Sequence, residues 1–328
     1  MEKRENLRLR ILKCMFTIGL SLVLVNLATP FSQVDAQNDP PSHIATRMDE
    51  GRPSITAQGT ATLRAEHQIL DQPRIFDDPL ALRIIGKQAE SSVRSNPQKN
   101  QLLDNLRAFV ALRSRYTEDK LAQAVKRGVR QYVILGAGLD TFPYRNLYPE
   151  SRLQVFEVDH PTTQLWKRTR LTEVGIAIPD SLTFVPIDFE KQTLAEGLKQ
   201  VGFKFDKPAF FSLLGVVMYL TKDAVMETLR FVTSLPPGSE IVFDYALPSS
   251  ALTERQRKVR KVLESRFAAI GEPWITYFDP SSLVRELQQL GFKNFEDLGP
   301  GDANDRYFKD RKDGLHVGGS AHLMKAGF

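Results

Sequence analysis

Five apolar runs rich in β-branched and aromatic residues recur along the chain. They are QYVILG from Gln131, RLQVFEVD from Arg152, SLTFVPIDF from Ser181, PAFFSLLGVVMYL from Pro208 and EIVFDYAL from Glu240. Between them lie stretches with apolar residues three and four apart: PTTQLWKRTRLTEVG, LAEGLKQVG and TKDAVMETLRFVTSL, with TERQRKVRKVLESRFAAIG after the fifth run. This alternation of near-continuous apolar strands with amphipathic helices predicts an α/β fold, a doubly wound, mostly parallel sheet covered on both faces. Upstream, the segment 61–128 is helical in pattern: Leu102, Leu106, Phe109 and Val110, then Leu121 and Val125, repeat at helical spacing up to Gly128. Downstream, SSLVRELQQLG reads as a helix, and FKNFEDLG and GLHVGGSAHLMKA read as two strands with no helix between them. That ending predicts a terminal antiparallel hairpin, giving seven strands in all.

The N-terminal residues have a different pattern. Residues 1–13 are basic, 14–28 (CMFTIGLSLVLVNLA) are apolar and uncharged, and small residues come next, with Val34 and Ala36 placed as in a cleavage site. This layout predicts a signal peptide or membrane anchor over 1–36. Residues 37–60 are rich in Pro, Gly, Ser and Thr without periodicity and read as a flexible linker. The expected globular domain is therefore 61–328. Membrane contact is expected through 14–34 only. The signal-like segment argues for export or anchoring, whereas cofactor chemistry inside the domain argues for the cytoplasm.

Charge and composition narrow the function. The net charge is +5, and five basic side chains lie within residues 1–36. The remainder is too small and too dispersed for nucleic-acid binding. A single cysteine, Cys14, allows no disulfide or thiolate cluster, and the five histidines lack ligand spacing, so no metal is expected.

The candidate chemistry sits after the first strand, in LGAGLDTFPYR. Gly136 and Gly138 let the backbone approach a ligand at the carboxyl end of the sheet. Asp159 ends the second strand 21 residues after Gly138, the spacing of a carboxylate that binds ribose hydroxyls. Asp188 ends the third strand, where a carboxylate can accept from an adenine amino group, and Phe189 can pack on the base. A dinucleotide fingerprint needs glycine at 141. The residue there is Thr141, and Asp140 places negative charge where a pyrophosphate would lie. The pattern therefore favours S-adenosylmethionine, which carries a sulfonium and an ammonium and no phosphate, over a nicotinamide cofactor.

LGAGLDTFPYR, FEVDHPTTQLWKR, FVPIDFE, PAFFSLLGVVMYLT, ALRSRYTEDKL and LRAEHQILDQPRIFDDPLA together resemble the leucine carboxyl methyltransferase-like family, most of all its bacterial branch of S-adenosyl-L-methionine-dependent methyltransferases. The resemblance runs from about residue 61 to the end. It implies the class I methyltransferase form of the Rossmann-like sheet with an N-terminal helical cap. It also implies roles: Gly136 and Gly138 line the methionine part, Asp159 binds the ribose, Asp188 and Phe189 contact the adenine. An arginine of LRSRY pairs with the cofactor carboxylate, and Arg113 aligns better than Arg115. Where phosphatase-methylating members carry a glutamate in the fourth strand, this chain has Leu214, which sets the acceptor side apart.

The expected reaction is O-methylation of a carboxylate or a small-molecule hydroxyl by in-line methyl transfer. A carboxylate is ionised at neutral pH and needs no base. No catalytic residue stands out. Tyr144, Arg145 and Tyr219 lie near strand ends, within reach of an acceptor. Two other readings compete: an exported, non-catalytic binding protein on the same fold, and a nicotinamide-dependent oxidoreductase. Nothing in the sequence indicates the oligomeric state.

Overall fold

In the computed structural model, residues 54–95, 101–146, 148, 153–188 and 192–328 are described. The signal-like segment 1–36, most of the expected linker and Phe189 lie outside these residues. Five parallel strands form the centre: β1 (Gln131–Leu135), β2 (Gln154–Asp159), β3 (Leu182–Pro186), β4 (Phe210–Leu213) and β5 (Glu240–Ala246). Two more, β6 (Asn294–Leu298) and β7 (Ala321–Gly327), complete a seven-stranded sheet of order β3-β2-β1-β4-β5-β7-β6. β7 runs antiparallel to both of its neighbours. β1, β4 and β5 are buried along their whole length, as expected of strands covered on both faces. The strand order reverses between β1 and β4, so their carboxyl ends open a crevice for a ligand.

The helices before β1 are α1 (Ile55–Leu70), α2 (Ala81–Ile84), α3 (Lys87–Ser95) and α4 (Gln101–Lys126). Around the sheet lie α5 (Pro161–Glu173), α6 (Leu194–Gln200), α7 (Lys222–Thr233), α8 (Glu254–Ala269), α9 (Pro280–Gln289) and α10 (Pro300–Tyr307). Their starts are locally encoded: Thr193, Thr221, Thr253 and Asp279 each accept a first-turn amide at an N-cap.

Two expectations need correction. The structured part begins before residue 61: Ser54 caps α1 by accepting from the Ala57 amide, and residues 55–60 are helical. Their Gly and Thr content resembles a linker, but tertiary contacts hold them. The last two strands also do not succeed one another directly, because α10 intervenes. Pro300 at its first position and Asp302 in its first turn start that helix within a stretch that reads as a turn.

α1 packs on α4 through a buried polar cluster. Arg107 of α4 donates to both oxygens of Asp71, at 2.8 and 2.9 Å. The Nε2 of His67 accepts from the Ile75 and Phe76 amides, which assigns its proton to Nδ1 for donation to Asp71 at 2.7 Å. Glu66 lies in the same cluster. Burial pushes its carboxyl up to about 7, against the opposing pull of Arg107. Raised above its ordinary 4.5, this group contributes stability that is fully present below the unfolded value and is lost as pH rises through about 7. The Tm is therefore expected to rise as pH falls from 8 to 6, and Glu66→Gln is expected to flatten that dependence. Thermal unfolding across this range measures both.

Candidate active site

The glycine turn after β1 lies at the crevice. Gly136 and Gly138 both take positive φ, +66° and +45°, which glycine alone adopts without strain. A Cβ on Gly136 would stand 2.3 Å from the Val216 side chain, and one on Gly138 would meet Ala57 of α1 at 3.1 Å. Asp159 closes the turn from the end of β2. Its Oδ2 accepts from the Gly138 amide at 2.6 Å and its Oδ1 from the His160 amide at 2.7 Å. Burial holds the Asp159 carboxyl above the usual carboxylate range, although both amides oppose the shift.

The segment after the turn separates the two cofactor classes. A dinucleotide site needs an α-helix N-terminus at this point. The chain instead forms a short 3-10 turn, Phe142–Arg145. Asp140 accepts from the Phe142 amide at 2.7 Å and shapes that turn. Thr141, in place of a third glycine, is fully buried and donates to Asp78 at 2.6 Å. Arg64 of α1 binds the same Asp78 at 3.0 Å and reaches the Leu139 carbonyl at 2.6 Å. The helical cap thus clamps the turn from below. In the sequence Asp78 is legible only as a helix start beside Pro79.

Arg113 and Arg115 part company. Arg113 points into the crevice and donates to Asp244, at the end of β5, at 3.1 Å. The other oxygen of Asp244 accepts from the Gly215 amide at 2.5 Å. A Cβ on Gly215 would come within 2.7 Å of both terminal nitrogens of Arg113, so this position leaves space for the guanidinium. Arg115 lies on the outer side of α4, paired with Asp119. Asp188 lies in the crevice, 3.9 Å from the His160 ring. Of the three acceptor-side candidates, Tyr219 lines the cavity. Tyr144 and Arg145 are engaged elsewhere, with Glu157 and Glu118.

These groups surround a cavity of about 1630 Å³. Leu214 lines it, and so does a second layer from the far end of the chain. There Glu272 accepts from the Ile55 and Thr56 amides, at 2.8 and 3.2 Å, and from the Ser54 hydroxyl at 3.3 Å. This latch joins the start of α1 to the segment after α8, and both segments line the cavity. Among the described residues no His/Cys/Asp/Glu group could hold a metal, and no helix is long and apolar enough to cross a membrane.

The profile of the leucine carboxyl methyltransferase family matches residues 57–233, more than half of the chain. The chain belongs to the leucine carboxyl methyltransferase family. One relative in this family, from Bacillus subtilis (strain 168), is named "Putative S-adenosyl-L-methionine-dependent methyltransferase YktD". It is 35% identical, over 85% of this chain and 99% of its own length. A Mycobacterium marinum protein of the same description is 30% identical over 65% of this chain and 75% of its own. Crystal structures from Thermobifida fusca YX and from Streptomyces avermitilis, the latter a DUF574 family protein, superpose with TM-scores of 0.51 at 17% identity. They cover 85% and 86% of this chain, and 96% and 99% of theirs, and share its fold. The protein is an S-adenosyl-L-methionine-dependent methyltransferase. The crevice fits that cofactor: two carboxylates and a guanidinium face a glycine turn with no phosphate-binding helix start.

Proposed function

We propose that the protein methylates an oxygen of a small acceptor, in the first instance a carboxylate. The observation that carries this reading is the state of the polar groups where the cavity passes Tyr219. Burial pushes the Tyr219 phenol up to about 12; the Trp274 and Thr56 side chains and the Arg113 charge oppose the shift, and Glu272 adds to it. The phenol therefore stays protonated at neutral pH and acts as a donor. The Trp274 indole N–H, a second donor, is buried beside that phenol. The nearby carboxylates are engaged: Glu272 by the start of α1, Asp244 by Arg113 and Gly215. Donors without a base suit an acceptor that is already an anion.

The remaining residues hold and orient. Gly136 and Gly138 would line the methionine part of the cofactor, and Arg113 would meet its carboxylate, a pairing that suits the guanidinium fork. Asp159 would take the ribose hydroxyls. Asp188 would accept from the adenine amino group, with Phe189 packed on the base. When bound, the cofactor supplies a methyl group on a positive sulfur, already a good electrophile. The chain's task is then alignment, which contributes about 7–11 kcal/mol in well-oriented systems.

Incubation with methyl-labelled cofactor and cell extract tests the reading. Methyl esters release labelled methanol in base and methyl ethers do not. Base-labile label is expected; base-stable label moves the acceptor to a hydroxyl, and no label at all sinks catalysis. Tyr219→Phe is expected to raise the acceptor KM roughly 10- to 150-fold, the loss of one hydrogen bond to a charged group, with cofactor affinity unchanged.

We also propose that residues 1–36 direct the chain to the membrane with the domain outside. Support comes from the basic, apolar and small-residue order of that segment and from its five basic residues ahead of the apolar run. Protease treatment of intact cells is expected to remove the domain. Recovery of the full chain, residues 1–36 included, as a soluble cytosolic protein would refute it.

A further inference from the structure

We infer that the acceptor is a hydrophobic monocarboxylic acid whose apolar body lies along Phe267 and Trp274, with its carboxylate turned toward Tyr219. This rests on the carboxylate-methylation reading above and adds the acceptor's class.

Space is the first ground. A pocket for one drug-sized ligand holds about 300–1,000 Å³, and this cavity holds about 1630 Å³. Its walls include Leu106, Phe109 and Val110 from α4, Phe267 from α8, Ile270 just after it, and Trp274. These are apolar surfaces that a charged or sugar-like body would leave unsatisfied.

The second ground is a preformed platform. The Trp274 ring stacks on Phe267, centroids 5.3 Å apart and planes 15° apart. The Arg260 guanidinium lies 5.5 Å from the Trp274 ring. Arg260 is itself buried and fixed by the Leu247 and Ser320 carbonyls, at 2.9 and 3.2 Å. An aromatic held from one helix in this way offers a rigid apolar surface at little entropic cost. Its neighbour Ile275 also lines the cavity and is 51% exposed, an apolar threshold at the mouth.

The third ground is the placing of charge. The acid's head is favoured toward the Tyr219 hydroxyl, a donor in the wall, whereas Arg113 is held by Asp244 and Glu272 by the start of α1. A head at Tyr219 leaves the hydrocarbon body the Phe267–Trp274 side.

Calorimetric titration of the full chain, loaded with S-adenosylhomocysteine, with butanoate, octanoate and dodecanoate tests this. Affinity is expected to rise with length, about fourfold for each methylene that becomes fully buried. Trp274→Ala is expected to flatten the series and Trp274→Phe to keep most of it, while titration with S-adenosylhomocysteine reports that each variant is folded. Equal affinity for butanoate and dodecanoate would overturn the proposal, as would a length dependence that Trp274→Ala leaves intact. Length-dependent binding without methyl ester formation would support the chamber assignment and sink the carboxylate reading instead.

Discussion

Replacing Lys167 with methionine is expected to cost about 3–5 kcal/mol of stability, the range for breaking a buried ion pair from one side. For a domain of this size that is a fall in Tm of roughly 10 °C. Lys167 of α5 and Glu157 of β2 are each 1% exposed, with Nζ and Oε1 2.6 Å apart. The Tyr144 ring covers the ammonium at 5.4 Å, and the Tyr144 hydroxyl donates to the other oxygen of Glu157 at 3.4 Å. Burial pushes the Glu157 carboxyl up, and Lys167 is the main force holding it down. Without Lys167 the carboxyl is expected to take up a proton in the folded state. The penalty then grows as pH rises above the unfolded carboxylate value and shrinks below it. Adding Glu157→Gln to the variant is expected to restore much of the loss. Thermal unfolding of the wild type, the single and the double variants reads all of this, and a single variant as stable as the wild type would show the pair to be dispensable.

Asp159→Ala is expected to weaken cofactor binding by about 1.5–3 kcal/mol, the range for a charged hydrogen-bond partner, or roughly 10- to 150-fold in Kd. Two losses combine. The ribose would lose its acceptor, and the Gly138 and His160 amides lose theirs, so the glycine turn loosens as well. Asp188→Ala is expected to cost less, because an adenine base also gains from stacking. Isothermal titration with S-adenosylmethionine measures both variants. Unchanged affinity in a folded Asp159→Ala protein would remove Asp159 from the ribose.

The parallel core was legible because its strands are buried on both faces and carry no polar alternation to confuse the period. The crevice was legible for a related reason: positive φ at Gly136 and Gly138 is a local demand that the residue type displays. Other features depend on partners distant in sequence. Residues 54–60 look like a linker until Glu272, more than 200 residues away, accepts their amides. Arg64 and Asp78 support the glycine turn across 75 and 63 residues, and no local pattern marks them for that task. The residues 300–307 hide a helix behind Pro and Gly, which read first as turn formers. The choice of Arg113 over Arg115 came from the family resemblance. The space that Gly215 leaves for Arg113 beside Asp244 exists only in three dimensions.

The Glu272 latch also decides where attachments to the chain belong. Residue 54 is tied to the cavity lining, so a fusion partner or surface tether joined directly at that residue starts beside the cavity. At the other end, Gly327 pairs with Glu240 at the beginning of β5, at the end of the parallel strands opposite the crevice. An immobilised form held through Phe328 keeps its doorway turned to solution, whereas one held through the upstream side presents it to the support.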